Sequence, residues 1–365
     1  MNGVKRVVAA AAVVLALAPA ASAERLTPDG SIDPSDRWPV APTNWPHPVR
    51  GGFLDPRPEQ SGPLYHTGVD ISVRDDKPER GHPPGRAHRV FAIEGGIVWV
   101  PDGVETRSCS TRLVHVGNFG YGHTDPVGTV TAGQHVEAGD PIGWTCSSHW
   151  HVHLSEWTFR NGQQVYLNPL RPDGSLHPYV DTAAPAVHAI RFFTPADATW
   201  ENLFGRLAMP SAGDPLVATA LHGLVDVRAF IGDRQSWVGW MRGKLKKLRT
   251  EISPYRVHVS VRRLLSPKPE VDRDVFRADD LTPHPFSFTQ RYAPGTTQNL
   301  PAYGCLHDGV ISCRGQYWYR VFARPGAAPY WDTTREANGD YTVCVTAWDV
   351  SGNRGGRCAA ARVVN

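Results

Sequence analysis

Past its first residues the chain has no run of the roughly 20 apolar residues that a membrane-spanning helix requires. Even the Ala/Val/Leu stretch from Val7 to about Ala18 is too short, so no transmembrane anchor is expected. A large excess of charge of one sign is lacking as well. A net charge of +3 over 365 residues gives no reason to expect nucleic acid as a partner. Cysteine is rare: the six present do not have the spacing of a zinc-binding cysteine site. With 35 Gly and 32 Pro, and Trp and Tyr spread throughout, the composition points to a β-rich, loop-rich protein rather than a helical one.

The N-terminus reads as an export signal. A basic start through Lys5 and Arg6, the short apolar stretch, and then Ala21-Ser22-Ala23 together predict a secretory signal peptide over residues 1–23. The mature chain is then expected outside the cell or associated with its wall. An oxidising compartment lets thiols pair, and an even count leaves none over. Six cysteines allow 15 connectivities. Proximity favours Cys305 with Cys313 and Cys344 with Cys358, each closing a short loop, which leaves Cys109 for Cys146.

Length permits two domains. Residues 24–44 are polar and proline-rich and read as an N-terminal arm. From Trp45 short β-like runs follow one another: Leu64–Val73, Arg89–Ile93, Gly96–Val100, Leu113–Val116, Gly128–Thr131, Pro141–Trp144 and His149–Trp157. Gly, Pro and Asp separate them, as in an antiparallel sheet. This block is placed at 45–175, a linker at 176–185, and a second domain at 186–365. In the second, Gly223–Phe230, Tyr255–Val261 and Gly339–Asp349 alternate at period two, and a turn at 349–353 leads into a final strand. That end loosely resembles bacterial immunoglobulin-like or fibronectin-like sandwich modules. The fold class expected is all-β: an antiparallel domain followed by a β-sandwich. The basic, aromatic run Trp237–Arg249 reads as a solvated loop or short helix, with contact to anionic wall polymers or a membrane surface as the functional alternative.

The most informative stretch is His149-Trp150-His151-Val152-His153-Leu154. Alternate residues of a strand share a face, so the three histidines point one way while Trp150, Val152 and Leu154 point towards a core. Upstream lie Tyr65-His66-Thr67-Gly68-Val69-Asp70 and Tyr121-Gly122-His123. HxxxD, then YGH, then HxH, in this order, resembles the lysostaphin-type zinc metallopeptidases, the family of LytM-like and β-lytic endopeptidases, over about residues 45–170. The resemblance implies an antiparallel metallopeptidase domain with one Zn2+ per chain, held by His66, Asp70 and His153. His123 and His151 match the family's two additional active-site histidines, expected to hold or deprotonate the attacking water and to protonate the leaving amine. His149 sits where the family usually has a small residue and reads as a surface or rim histidine.

Elementary geometry fits that assignment. A straight strand would separate His66 from Asp70 by about 13 Å, too far for both to reach one ion at about 2 Å. The segment must bend, and Gly68 permits it. Two imidazoles and one carboxylate leave a fourth position open, as in catalytic rather than structural zinc. Ligand histidines must be neutral, so metal and activity are expected to fall together below about pH 5. The resemblance implies a secreted metalloendopeptidase cutting peptidoglycan cross-links or bridges, or glycine-rich proteins. The alternative is a non-catalytic wall-binding protein or an activator of another hydrolase.

Overall fold

The computed structural model describes residues 37–59, 62–73, 78–101, 103, 108–147, 151–177, 179–197, 201–203, 206–209, 211–236, 251–281, 288–297, 306–307, 310–311 and 316–365. Within them the chain is all-β. The only α-helix among the described residues is the four-residue Phe288–Arg291, and every strand pairing is antiparallel apart from one isolated bridge, Leu221 to Val363. No helix among them is long and apolar enough to cross a membrane. The expected signal peptide, most of the N-terminal arm, His149, the Cys305–Cys313 pair and the run Trp237–Arg249 all lie outside the described residues.

The largest sheet is organised around the strand His151–Arg160. Its first half lies between Val69–Ser72 and Phe119–Gly122, with His153 opposite Asp70 on one side and Gly122 on the other. Beyond these the sheet continues through Leu113–Val116, Gly96–Trp99 and His135–Val136 on one flank and Val49–Gly51 on the other. The second half of the strand folds back onto Gln163–Leu167. That hairpin follows from Asn161-Gly162, where both residues take positive φ, 52° and 76°, the two-residue turn whose twist matches paired strands.

Alternation along His151–Arg160 works as its sequence pattern predicts. Val152 and Leu154 are completely buried in a core shared with Val69, Ile71, Val114 and Val116, and His151, His153, Ser155 and Trp157 occupy the other face. Of the expected strands, Gly128–Thr131 is not one. The N–H groups of Thr129 and Val130 both donate to Pro126 O, at 2.9 and 3.3 Å, and Gly128 has φ 65°. Pro126 opens a turn there, and the pairing expected of this region falls to Phe119–Gly122 and His135–Val136.

A second core lies between two further sheets. Leu224–Arg234 pairs with Ala186–Phe193, Trp318–Arg320, Trp331–Asp332 and Glu251–Ile252. Opposite it runs the order Val271–Arg277, Arg256–Arg263, Gly339–Trp348, Arg354–Val363. Val225, Val227, Val257, Val259, Val343 and Val345 alternate into this core from both sheets. The last two strands form a hairpin around 349–353, and Cys344 stands directly opposite Cys358, to which it is bonded.

The two cores are interlocked. Ile252, Tyr255 and Ala278 are buried in the first core, and Asp280–Leu281 adds a strand beside Gln163–Leu167. A buried polar chain crosses between them: Ser253 N and Gly52 N each donate to Asp55 at 2.8 Å, Tyr292 Oη donates to Leu54 O at 2.7 Å, and Tyr319 Oη donates to Ser253 Oγ at 3.0 Å. The segment expected as a linker shares in this. Leu176 is buried in the first core, and Asn353 Nδ2 donates to Asp181 O at 2.6 Å.

Candidate metal centre

His66 and Asp70 arrive from the two sides of a break in pairing. The strand Gly62–Tyr65 ends before His66, and Val69–Ser72 begins after Gly68, which is the bend that a shared ion requires. Gly68 does not sit in the left-handed region. Its role is room: a Cβ there would lie 2.7 Å from the carbonyl carbon of Leu154 and 3.0 Å from His153 Nε2. A side chain at 68 would therefore push the bend off the strand that carries His153.

Three donor atoms converge. His66 Nε2 is 3.1 Å from Asp70 Oδ1 and 2.8 Å from His153 Nδ1, and Asp70 Oδ1 is 3.2 Å from His153 Nδ1. Each donor has its other end committed elsewhere. His66 Nδ1 lies 2.7 Å from Gly52 O, and a carbonyl oxygen can only accept, so Nδ1 carries the proton and Nε2 presents its lone pair. Ser155 Oγ lies 2.9 Å from His153 Nε2, where its hydroxyl can accept from the imidazole N–H and leave Nδ1 with its lone pair facing inward. Arg57 Nη2 donates to Asp70 Oδ2 at 2.9 Å, leaving Oδ1 inward.

This donor set fits a metal. Two imidazole lone pairs and a carboxylate oxygen facing one another at 2.8–3.2 Å repel unless a cation stands among them. Tetrahedral zinc with ligands at about 2.0–2.1 Å places neighbouring donors roughly 3.3 Å apart, close to these edges. The supporting contacts from Gly52, Ser155 and Arg57 are of the kind that orient metal ligands and fix their tautomers.

His123 and His151 stand beside the triad. Their rings are 4.6 Å apart, His123 is 6.5 Å from the His153 ring, and His151 Nε2 is 3.7 Å from Asp70 Oδ1. His123 has φ 60°, a conformation uncommon outside glycine and concentrated at functional sites. It is held from behind by Cys146 N, which donates to His123 O at 3.3 Å, and Cys146 is bonded to Cys109. The following Asp125 is clamped by Arg86 and Arg112.

The disulfide therefore braces His123 more directly than the ligand strand. Serine at both Cys109 and Cys146 is expected to lower stability by about 3–4 kcal/mol, as loop-closure entropy for a separation of 37 residues implies. Turnover should fall further than zinc affinity. Denaturant melts beside zinc content and kcat check this, and an unchanged kcat would detach the disulfide from the site.

Burial and charge set the protonation of His66 and Asp70. Desolvation lowers the His66 imidazole, Arg57 lowers it further, and Asp70 only partly offsets them, so it titrates at about 4 instead of 6.5. Burial pushes the Asp70 carboxyl up, but His66, His151 and Arg57 outweigh it and hold it well below the ordinary carboxylate range. Both groups thus rest in the forms that ligate.

The sign for stability follows by linkage. Between pH 6.5 and 4 the unfolded chain takes up a proton that folded His66 refuses, so stability falls as pH drops through that window. Asp70, ionised in the folded chain below its ordinary value of 3.8, loses its contribution only at still lower pH. For the metal-free chain the His66 effect is expected to be about 3 kcal/mol. Urea unfolding at pH 7, 5.5 and 4 would show it as a slope that His66→Gln flattens, and an equal slope in both chains would refute it.

All five residues expected from the sequence are thus placed together. Glu156, in the same stretch, turns away and is held by Arg171 and Ser175 at 2.6 and 2.8 Å. Sequence reading missed Arg57, Ser155 and Gly52 O. Ser155 continues the period-two face of His151 and His153 and was available from it, whereas Arg57 and a backbone carbonyl leave no such signal. Beyond the histidines the same face is floored by Gly120 and Gly122. It carries an aromatic row in which Trp99 and Trp157 flank His115 at 4.7 and 5.1 Å. Compared with known proteins, the chain matches no protein-family model, no curated protein and no solved structure.

Proposed function

We propose that the chain is a zinc metalloendopeptidase of lysostaphin type, exported and acting on peptide bonds of peptidoglycan cross-links or bridges, with an immunoglobulin-like β-sandwich as its second domain. The observation that carries this reading is the convergence of His66 Nε2, Asp70 Oδ1 and His153 Nδ1 within 3.2 Å of one another, beside a second pair of histidines. When bound, zinc supplies Lewis acidity that polarises a carbonyl and makes water acidic near neutral pH. His66, Asp70 and His153 hold the ion, and Arg57 keeps Asp70 ionised and oriented. His151, whose Nε2 faces the triad, and His123 are placed to take a proton from the attacking water and return one to the leaving amine. The glycine floor and the Trp99–His115–Trp157 row give an extended peptide an open sheet face on which to lie.

The test uses the purified chain. One zinc per chain and release of free amines from wall preparations are expected, with release stopped by a chelator and restored by zinc. Stoichiometric zinc without hydrolysis of any wall preparation would favour a wall-binding protein or activator instead. Cleavage of elastin in preference to wall peptides would move the substrate class to glycine-rich proteins.

A further inference from the structure

A second set of potential ligands lies far from the histidines in sequence and chemistry. Asp181 belongs to the segment between the two cores, Asp233 is the penultimate residue of Leu224–Arg234, and Asp349 follows Gly339–Trp348. Each offers an oxygen within 4.8 Å of the others, and all three are buried, at 4, 3 and 3 % exposure. Asp181 Oδ1 accepts from the N–H groups of Ala183 and Ser236, both at 2.9 Å, and the Asp349 carboxylate accepts from Asn353 N at 2.8 Å and Asn353 Nδ2 at 2.7 Å. Asp181 Oδ2 and Asp233 Oδ1 are buried and have no hydrogen-bond partner.

Burying one carboxylate oxygen without a partner is costly, and gathering three carboxylates compounds the cost by mutual repulsion. The charges pressing most on Asp233 are Asp349, Asp181, Asp55 and Glu251, all acidic. Nothing in that set offsets them. We propose that Asp181, Asp233 and Asp349 form a calcium site, in which the two unpartnered oxygens and the Asp349 carboxylate are ligands and the ion ties the inter-core segment to the ends of two strands.

The donor chemistry selects the ion. An all-oxygen set with no imidazole or thiolate suits a hard cation, unlike the histidine centre. Calcium accepts six to eight oxygens in irregular geometry, whereas magnesium demands a near-ideal octahedron and keeps several waters. Three aspartates from three separate segments fit the first better. A cavity between the cores, lined by Gly52, Tyr179, Asp233, Ser253, Tyr255 and Val350, reaches Asp233 and gives coordinating water a place. Burial first, then the neighbouring acids, push Asp233 well up, and Asp349 is pushed up to about 6, a strain that a bound cation would relieve. The inference does not depend on the function proposed for the histidines.

The experiment uses the full mature chain in buffer freed of calcium by chelating resin, with zinc content measured throughout. Titration with calcium chloride, followed by calorimetry, is expected to show one site per chain. Saturating calcium should raise Tm by about 5 °C or more while zinc content stays constant. Asp233→Asn should abolish both responses and, in calcium-free buffer, melt no lower than the unaltered chain, because it removes a repelling charge. Should that variant not fold, the titration of the unaltered chain decides alone. No calcium binding, or an equal response to magnesium chloride, would overturn the proposal. So would a Tm that ignores calcium and rises only on acidification to pH 6, since a proton shared by the carboxylates would then explain the cluster.

Discussion

His153→Ala is expected to lose zinc and hydrolysis together, whereas His151→Ala loses hydrolysis alone. The difference comes from where the two rings point. His153 Nδ1 is one corner of the donor triangle, 2.8 Å from His66 Nε2, so its removal leaves two ligands and should weaken zinc by well over the roughly 100-fold that loss of an outer-shell contact can cost. His151 Nε2 is 3.7 Å from Asp70 Oδ1, beside the triangle rather than in it. Its loss should reduce kcat on the order of 10²–10⁴-fold, as for removal of a general acid or base, with zinc still bound. Arg57→Gln gives an intermediate case. It leaves all three ligands in place but frees Asp70 Oδ2, and zinc affinity should fall about 10–100-fold. Zinc content after dialysis, measured beside kcat on a wall-peptide substrate, separates the three variants. If His151→Ala loses zinc as readily as His153→Ala, the division into ligands and proton carriers is wrong.

Gly68→Ala should be among the most damaging single-methyl additions in the chain. Most overpacking costs 1–3 kcal/mol because side chains move aside. Here the obstructing atoms are the Leu154 backbone and His153 Nε2, and Leu154 is itself fully buried in the core. The backbone cannot yield without moving the strand that carries His153, and the imidazole cannot yield without turning away from Ser155. A loss of about 3 kcal/mol is expected, with weaker zinc binding because His66 and Asp70 would be displaced from His153. Urea melts with and without zinc test it. Stability within 1 kcal/mol of the parent would show that the bend has slack that these contacts deny.

The histidine strand was readable because a strand's period is two and residues 151 to 154 obey it, with Val152 and Leu154 supplying the buried half of the pattern. The need for a bend between His66 and Asp70 followed from strand rise alone. Short local features were legible for the same reason: the turn at 349–353 and the Cys344–Cys358 and Cys109–Cys146 bonds join segments near in sequence or left over after those are paired. What stayed hidden depends on tertiary approach. Arg57 reaches Asp70 only because a hairpin swings it there, Gly68 is required by a backbone 86 residues away at Leu154, and Gly128–Thr131 looked like a strand until Pro126 is seen to accept its N–H groups. Asp181, Asp233 and Asp349 share no periodicity at all. Their meeting is a property of three strand and loop ends, which one-dimensional spacing does not encode.

Interlocking of the two cores has a consequence for how the chain is made. The first core is not closed until Ile252, Tyr255 and Ala278 have entered it, the sheet edge at Gln163–Leu167 is uncovered until Asp280–Leu281 arrives, and Leu54 O waits for Tyr292. A nascent chain emerging N-terminus first therefore displays its histidines long before the scaffold that positions them is complete. Gly52, whose carbonyl sets the His66 tautomer, is held through Asp55 by Ser253, so the support behind His66 is complete only once the last third of the chain has been made.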